Sequence, residues 1–316
     1  MRKFYVLFSL LLTVLLSIGC APVSKEPMRV GTNLWPGYEP LYLAQELGYW
    51  EPQEIKLAEF PSSSEVIRAF RNQSLDAAAL TLDEVLMLWQ QNIQAEVVLV
   101  LDVSNGADVI ISDAETKHFR DLKGKKVAVE SGALGAYVIS RALEINNMST
   151  QDIELVPLGV SDHEAAFKNG DVQAAVTFEP VRTKLLEVGG NEVFSSREMP
   201  NEIVDVLVIR KSYIDNHPEQ AETLADGWFK VIEFMKNNPQ EAAVYISERL
   251  KISPEDVISS YDGLDLAGQE ENESMLVGRQ GTVNQTLMKL TASMMQNKLL
   301  TEPPPLERVI NDSLVK

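Results

Sequence analysis

Met28-Arg29-Val30-Gly31-Thr32-Asn33-Leu34-Trp35-Pro36-Gly37-Tyr38-Glu39-Pro40-Leu41-Tyr42-Leu43-Ala44-Gln45-Glu46-Leu47 reads as a strand that turns through a Pro-Gly break into a helix. The strand covers Met28–Leu34 and the helix Glu39–Leu47, with Trp35 held in the loop between them. The same order recurs downstream. Ile55–Phe60 reads as a strand and Ser62–Gln73 as a helix opened by serines. Ala77–Leu82 is a strand, Asp83–Gln91 a helix and Val97–Asp102 a strand. Strands that alternate with helices in this way build a mainly parallel sheet covered by helices, so the fold class is α/β.

The order restarts at Asp121. Lys125–Glu130, Ile153–Leu158 and Ala174–Phe178 read as strands, and Leu134–Asn146, Ser161–Lys168 and Val181–Val188 as helices. The two halves align at an offset of 97: Val30 with Val127, Phe70-Arg71-Asn72 with Phe167-Lys168-Asn169, Leu75 with Val172, and Ala77-Ala78 with Ala174-Ala175. Internal duplication or the general likeness of helix-turn-strand units would each produce this. Either way, two lobes place strand ends and helix starts at equivalent points. Ile203–Arg210 is a further strand, and Pro218–Lys236, Pro239–Leu250, Pro254–Tyr261 and Thr282–Lys298 are helices. Three of these begin with proline, whose missing N–H would be unpaired there anyway. Pro303-Pro304-Pro305 precedes a short final helix expected near Leu306–Ser313.

The chain has 316 residues, 45% hydrophobic and 23% charged, which excludes collagen, low-complexity disorder and a polytopic membrane protein. Its length suits about two domains or one two-lobed body. The 46 acidic and 28 basic residues give a formal charge of −18, which repels phosphate backbones and argues against nucleic acid as a partner. Three His and one Cys cannot build a Cys/His zinc site or a disulfide framework, so no metal and no cofactor is expected.

Arg2 and Lys3 precede the uncharged run Val6–Ile18, shorter than the about 20 residues of a membrane span but suited to a signal peptide. The run ends Leu16-Ser17-Ile18-Gly19-Cys20, which resembles a bacterial lipobox, with Ser17 where that pattern usually holds leucine. The resemblance implies that residues 1–19 are removed and that Cys20 is lipidated as the first mature residue. A plain secretory signal is the alternative. Residues 20–27 then form an anchored tether, and the protein is expected in the periplasm or at the cell surface.

The run Gly37–Trp50 resembles the opening signature of the nitrate/taurine/alkanesulfonate class of ABC-transporter solute-binding proteins. Asp121-Leu122-Lys123-Gly124-Lys125-Lys126-Val127-Ala128-Val129, Asn169-Gly170-Asp171-Val172-Gln173-Ala174-Ala175, Phe178-Glu179-Pro180 and Asp102-Val103-Ser104-Asn105-Gly106-Ala107-Asp108 resemble later motifs of that class. The likeness spans residues 28–210. It implies a two-lobed periplasmic-binding-protein fold of the second type with a helical C-terminal tail. Lobe 1 would hold residues 28–112 and 205–316, and lobe 2 residues 113–204. The crossings near Ile111–Glu115 and Glu202–Val206 would form the hinge of a cleft that closes over ligand. It further implies a monomer that performs no chemistry and hands its ligand to an ABC permease. A ligand-sensing module that presents its closed form to a membrane receptor is the alternative. A relative of this fold makes a pyrimidine precursor with a Cys- and His-bearing site. Here His118, His163 and His217 fall in a linker, a helix start and a pre-helix turn, with no Ser-His-Asp order or phosphate loop.

Ligands of open α/β sheets bind beyond the carboxyl ends of strands. That rule selects Asn33, Trp35 and Tyr38, then Ser62 and Ser63, then Thr81 and Asp83 in the first half. In the second half it selects Glu130, Ser131, Gly132 and Tyr137, then Phe178 and Glu179. Serines at helix starts either cap the helix or bind an acidic group. Trp35, Tyr38, Tyr137 and Phe178 either stack on ligand or pack, whereas Trp50 and Trp89 are assigned to packing. Asp83, Asp102, Asp108, Glu130, Glu179 and Asp205 fall at strand ends or hinge positions, with Arg182 the nearest base. Asp102 and Asp205 join the ligand-binding set on that ground. A cleft richer in carboxylate than in guanidinium favours an amine-bearing zwitterion or heterocyclic amine, with Glu179 as the leading contact.

Overall fold

A computed structural model describes residues 26–278 and 281–316. The expected signal peptide, Cys20 and the tether as far as residue 25 lie outside the described residues. The first sheet contains β1 (Met28–Asn33), β2 (Ile55–Phe60), β3 (Ala77–Thr81), β4 (Ala95–Ser104), β10 (Val204–Arg210) and β11 (Leu264–Leu266), in the order β11-β4-β10-β3-β1-β2. The second contains β5 (Val109–Ser112), β6 (Lys126–Val129), β7 (Glu154–Pro157), β8 (Ala174–Thr177) and β9 (Asn191–Ser195), in the order β7-β6-β8-β5-β9. Within each sheet the strands run the same way, except β10 and β11 in the first and β5 in the second. The α/β architecture of two helix-flanked sheets with a helical C-terminal region is therefore present, each sheet with a reversed strand beside its third.

The helices that carry chain between strands are α1 (Glu39–Glu46), α2 (Ser63–Arg71), α3 (Leu82–Gln90), α4 (Leu134–Ile145), α5 (Val160–Lys168) and α6 (Val181–Glu187). The C-terminal region adds α7 (Lys211–Asn216), α8 (Pro218–Asn237), α9 (Pro239–Leu250), α10 (Pro254–Ser260), α11 (Gln269–Leu276) and α12 (Thr282–Gln296). β3 is buried along its whole length, because helices cover both faces of the sheet. The offset of 97 is visible in the pairing itself. Val30 pairs with Ala77 and Gly31 with Ala78 in the first sheet, as Val127 pairs with Ala174 and Ala128 with Ala175 in the second. Gln73 (φ 61°) and Gly170 (φ 77°) make the equivalent left-handed turns after α2 and α5.

The first crossing differs from expectation. Val109–Ser112 pairs with β8 and β9, so the chain leaves the first sheet at 105–108 and not near Ile111–Glu115. β5 is four residues long and buried on both faces, so it lacks the alternation that marks a strand. The second crossing occupies residues 196–203, just ahead of β10. Leu306–Ser313 is not one helix. It forms two 3-10 turns around a bridge between Ile310 and Val97. A short isolated helix is marginal, and the sheet edge offers that backbone better partners.

That edge is covered along its length. β11 pairs with residues 102–104 of β4, Ala267 N donates to Leu101 O at 2.8 Å, and Val97 exchanges bonds with Val309 and Asn311. Between them the buried Asn272 imitates a strand, accepting from Val100 N at 2.7 Å and donating to Val100 O at 2.9 Å. Asn272→Ala should leave two buried backbone groups unpaired at about 1–3 kcal/mol each. At about 2–4 °C per kcal/mol, calorimetry should record a Tm fall of roughly 4 °C or more. A Tm unchanged to about a degree would mean that water replaces the amide.

Candidate functional site

The two crossings lie side by side and are joined by Ser196. Its Oγ is 2.9 Å from Ser104 Oγ and accepts from Gly106 N at 2.6 Å, while Ser196 N donates to Asp108 O at 2.9 Å. Gly106 has φ 120°, a backbone conformation that favours glycine, and the Arg197 guanidinium rests against it. Asp108 ends this crossing, between the lobes.

β3 passes into α3 without a loop, which places Thr81 at the mouth of the cleft. β10 inserts between β3 and β4 with Asp205 abreast of both Thr81 and Asp102. Two carboxyls are thus direct cross-strand neighbours, an arrangement that is unfavourable when both are charged. Asp102 accepts from Trp35 Nε1 at 3.1 Å, and Asp205 accepts from the Tyr38 hydroxyl. Asp108 Oδ2 is buried and has no hydrogen-bond partner, whereas Asp102 and Asp205 share a side-chain hydrogen bond for which one of the two keeps its proton.

A cavity of about 30 Å³ separates the lobes, room for only a water or two. Asn33, Trp35, Tyr38, Ser63, Thr81 and Asp205 line it from the first lobe. Leu134, Gly135 and Val138 of α4, with Val160, Val176, Thr177 and Phe178, line it from the second. Asp108 and Glu130 complete the wall, and among the described residues no Lys, Arg or His lines it. Three contacts close the cleft: Trp35 meets Phe178 edge to face at 5.1 Å, Ser64 N donates to Glu130 Oε1 at 2.8 Å, and Leu134 N donates to Glu84 Oε1 at 3.1 Å.

Burial dominates the electrostatics. It pushes the Asp108 carboxyl up to about 7, with the nearby Asp83 charge adding to the shift. Asp205 is held far above the carboxylate range by burial and by the Asp102 charge. Burial likewise raises Asp102, Asp83 and Glu84. The Tyr38 phenol is pushed well up by burial and by Asp205. No Lys, Arg or His among the described residues lines the cavity beside these carboxyls. Among the described residues no group of three or more His, Cys, Asp or Glu is arranged to hold a metal ion.

The structure brings together Asn33, Trp35, Tyr38, Ser63, Thr81, Glu130, Phe178 and Asp205, with Asp83 and Asp102 close by outside the lining. Other expected contacts are placed elsewhere. Glu179 turns back over the start of α6, accepting from Thr183 N at 3.2 Å, Thr183 Oγ1 at 3.0 Å and Arg182 Nη1 at 3.2 Å. Unpaired helix N–H groups and a base three residues on outcompete the cleft for it. Ser62 caps α2 by accepting from Glu65 N at 3.4 Å, and it lines a neighbouring interlobe opening of about 300 Å³ with Asn33 and Phe178. Tyr137 donates to Glu202 at 2.6 Å instead of stacking in the cavity, and Ser131 and Gly132 sit exposed at the rim. The apolar lining of α4 and Val176 looks like core in sequence. Asn105-Gly106, a strong turn dipeptide, was the available signal that Asp108 opens the second lobe. None of the three histidines lines the cavity: His163 Nε2 lies 3.2 Å from Leu158 O, His217 packs on Tyr213, and His118 precedes a 3-10 turn.

Gly37 tests the wall. A Cβ there would overlap the Asp102 carboxylate and stand 2.6 Å from Trp35 Nε1. Gly37→Ala should therefore destabilise by about 1–3 kcal/mol and displace Trp35. Thermal unfolding and Trp fluorescence check this, and an unchanged emission spectrum would contradict it.

The taurine-binding periplasmic protein of Escherichia coli (strain K12) is 23% identical over 306 residues, covering 95% of this chain and 94% of that one. A 4-amino-5-hydroxymethyl-2-methylpyrimidine phosphate synthase of Aspergillus parasiticus is 27% identical over 179 residues, covering 55% of this chain and half of the enzyme. The solved alkanesulfonate-binding protein of Xanthomonas axonopodis pv. citri, bound to MOPS, superposes with a TM-score of 0.77 at 16% identity, covering 91% of this chain and 99% of that one. The sequence profile of the NMT1-like family matches residues 21–250, well over half of the chain, and the protein belongs to the NMT1-like family.

Proposed function

We propose that the protein is an extracytoplasmic solute-binding protein that closes over a small organic cation and delivers it to an ABC permease, tethered to the membrane through a lipidated Cys20. The carrying observation is Asp108 Oδ2, which is buried, unpartnered and on a cavity wall that no Lys, Arg or His lines among the described residues. An ammonium or protonated ring nitrogen supplies the missing donors and charge together. Val138, Val160 and Val176 with Trp35 and Phe178 give the rest of the ligand an apolar berth. A heterocyclic amine fits this division, whereas the acidic group of an amine-bearing zwitterion would meet no base on this wall. The cavity adjoins an interlobe opening of about 300 Å³ that shares Asn33, Val160 and Phe178 with it, and the two together give such a molecule room; the lobes open about 105–108 and 196–203 to admit it.

Thermal unfolding of the fragment from Ala21 onward tests this against taurine, alkanesulfonates, nitrate, amino acids, polyamines and pyrimidine amines. A ligand at about a hundred times its Kd stabilises by roughly 2.7 kcal/mol, a shift of several degrees. A response confined to amines supports the reading. A response only to nitrate or simple sulfonates sinks it.

A further inference from the structure

The helix N-termini that face the cleft are already occupied. Glu130, at the end of the second lobe's β6, reaches across to Ser64 N in the first turn of α2, at 2.8 Å. Glu84, in the first lobe's α3, reaches across to Leu134 N, the first residue of α4, at 3.1 Å. The exchange is reciprocal: each lobe supplies one carboxylate to the other lobe's helix. Glu84 is fully buried and is fixed on its own side by Thr81 N at 3.0 Å, and Glu130 is 7% exposed. A carboxylate seated on free helix N–H groups takes up both the donors and the positive end of the helix dipole.

We infer that Glu84 and Glu130 are specificity-determining residues that exclude anions from this cleft, by filling from the opposite lobe the two helix N-termini where a sulfonate, carboxylate or phosphate would bind. An entering anion must displace one of them and leave it buried without its partner, beside Asp83, Asp108 and Asp205. Exclusion built this way works against the wrong ligand, and needs no added contact to the right one. The inference rests on the cation reading for its purpose, but its test is separate.

Isothermal titration with ethanesulfonate and with sulfate, at about pH 5.5, would compare the wild type with Glu130→Ala, Glu130→Gln and Glu84→Ala. The wild type should show no binding at about 10 mM. Glu130→Ala should bind ethanesulfonate at least about tenfold more tightly than that limit. Glu130→Gln keeps an oxygen on Ser64 N and should stay blind to the anion, which separates occupancy from charge. If Glu84→Ala does not fold, Glu130→Ala and Glu130→Ser decide the matter, with circular dichroism as the control. A folded Glu130→Ala that ignores both anions overturns the inference, as does a wild type that binds them equally well. An amine panel on the wild type reports on the cation reading independently: amine binding without anion gain in the variant defeats only this inference. Anion gain without amine binding defeats only the other.

Discussion

Asp108→Asn should all but abolish binding of an amine ligand while making the ligand-free protein more stable at neutral pH. Asparagine keeps the shape of the side chain and its place at the end of the first crossing, and removes only the charge. Losing one partner of a buried, hydrogen-bonded charge pair costs about 2–5 kcal/mol, or roughly thirty- to several-thousand-fold in Kd. In the empty protein the same charge is a burden: Asp108 is buried, one oxygen is unpartnered, and Asp83 repels it. Its removal should raise the Tm at about pH 8 by a few degrees. The opposite signs are the diagnostic, because a merely structural aspartate would lose stability on substitution. Titration calorimetry and thermal unfolding of the same preparation check both, and amine affinity within about threefold of wild type would refute the assignment.

The second large effect is in the pH dependence. Asp83, Glu84, Asp102, Asp108 and Asp205 all have native values raised by burial, Asp108 to about 7. An acid whose value is raised on folding binds more protons native than unfolded. Its stabilising contribution is complete below the unfolded value near 4 and is lost as pH rises through the native value. The ligand-free protein should thus lose stability between about pH 5 and 8. Each such carboxyl contributes up to about 1.4 kcal/mol per pH unit while it titrates. His163, whose buried ring is held below its usual range, pulls the other way below about pH 6.5, and it is one group against five. Asp113, Asp152 and Glu202 are lowered, so their contribution is lost only as pH falls below about 4.5, outside the window. A bound cation should flatten the profile and bind more tightly as pH rises. Tm measured from pH 5 to 8, with and without the amine, decides this. A ligand-free profile that rises or stays level contradicts the carboxyl cluster.

Much of the architecture could be read from the chain because strand and helix signals are local. The run from Met28 to Leu47 announces one β-α unit, and the offset of 97 carries the pattern into the second lobe, where even the register of Val127 on Ala174 follows. What could not be read is long-range. No local pattern tells that β10 slides between β3 and β4, yet that insertion alone sets Asp205 beside Asp102 and makes the cleft acidic. Glu179 shows the converse. Its position after β8 points to the cleft, but the choice between cleft and helix start was settled by Arg182 and Thr183, three and four residues on. Acidic character was therefore legible, and Asp205 and Asp108 were already among the expected acidic residues; Glu179 is the one that the helix start takes away.

The placement of the reversed strands also dictates an order of assembly. The second sheet is drawn from one uninterrupted stretch, 109–195, so every partner it needs is present once that stretch has been released from the ribosome. The first sheet is different: β3 and β4 stay apart until β10 arrives about a hundred residues later, and the free edge of β4 stays bare until Asn272 and the segment around Ile310 follow. Closing so long a loop is slow, and an exposed strand edge invites pairing with other chains. The first lobe is thus the last to form and the one at risk of aggregation, and the C-terminal tail is the piece that ends that risk.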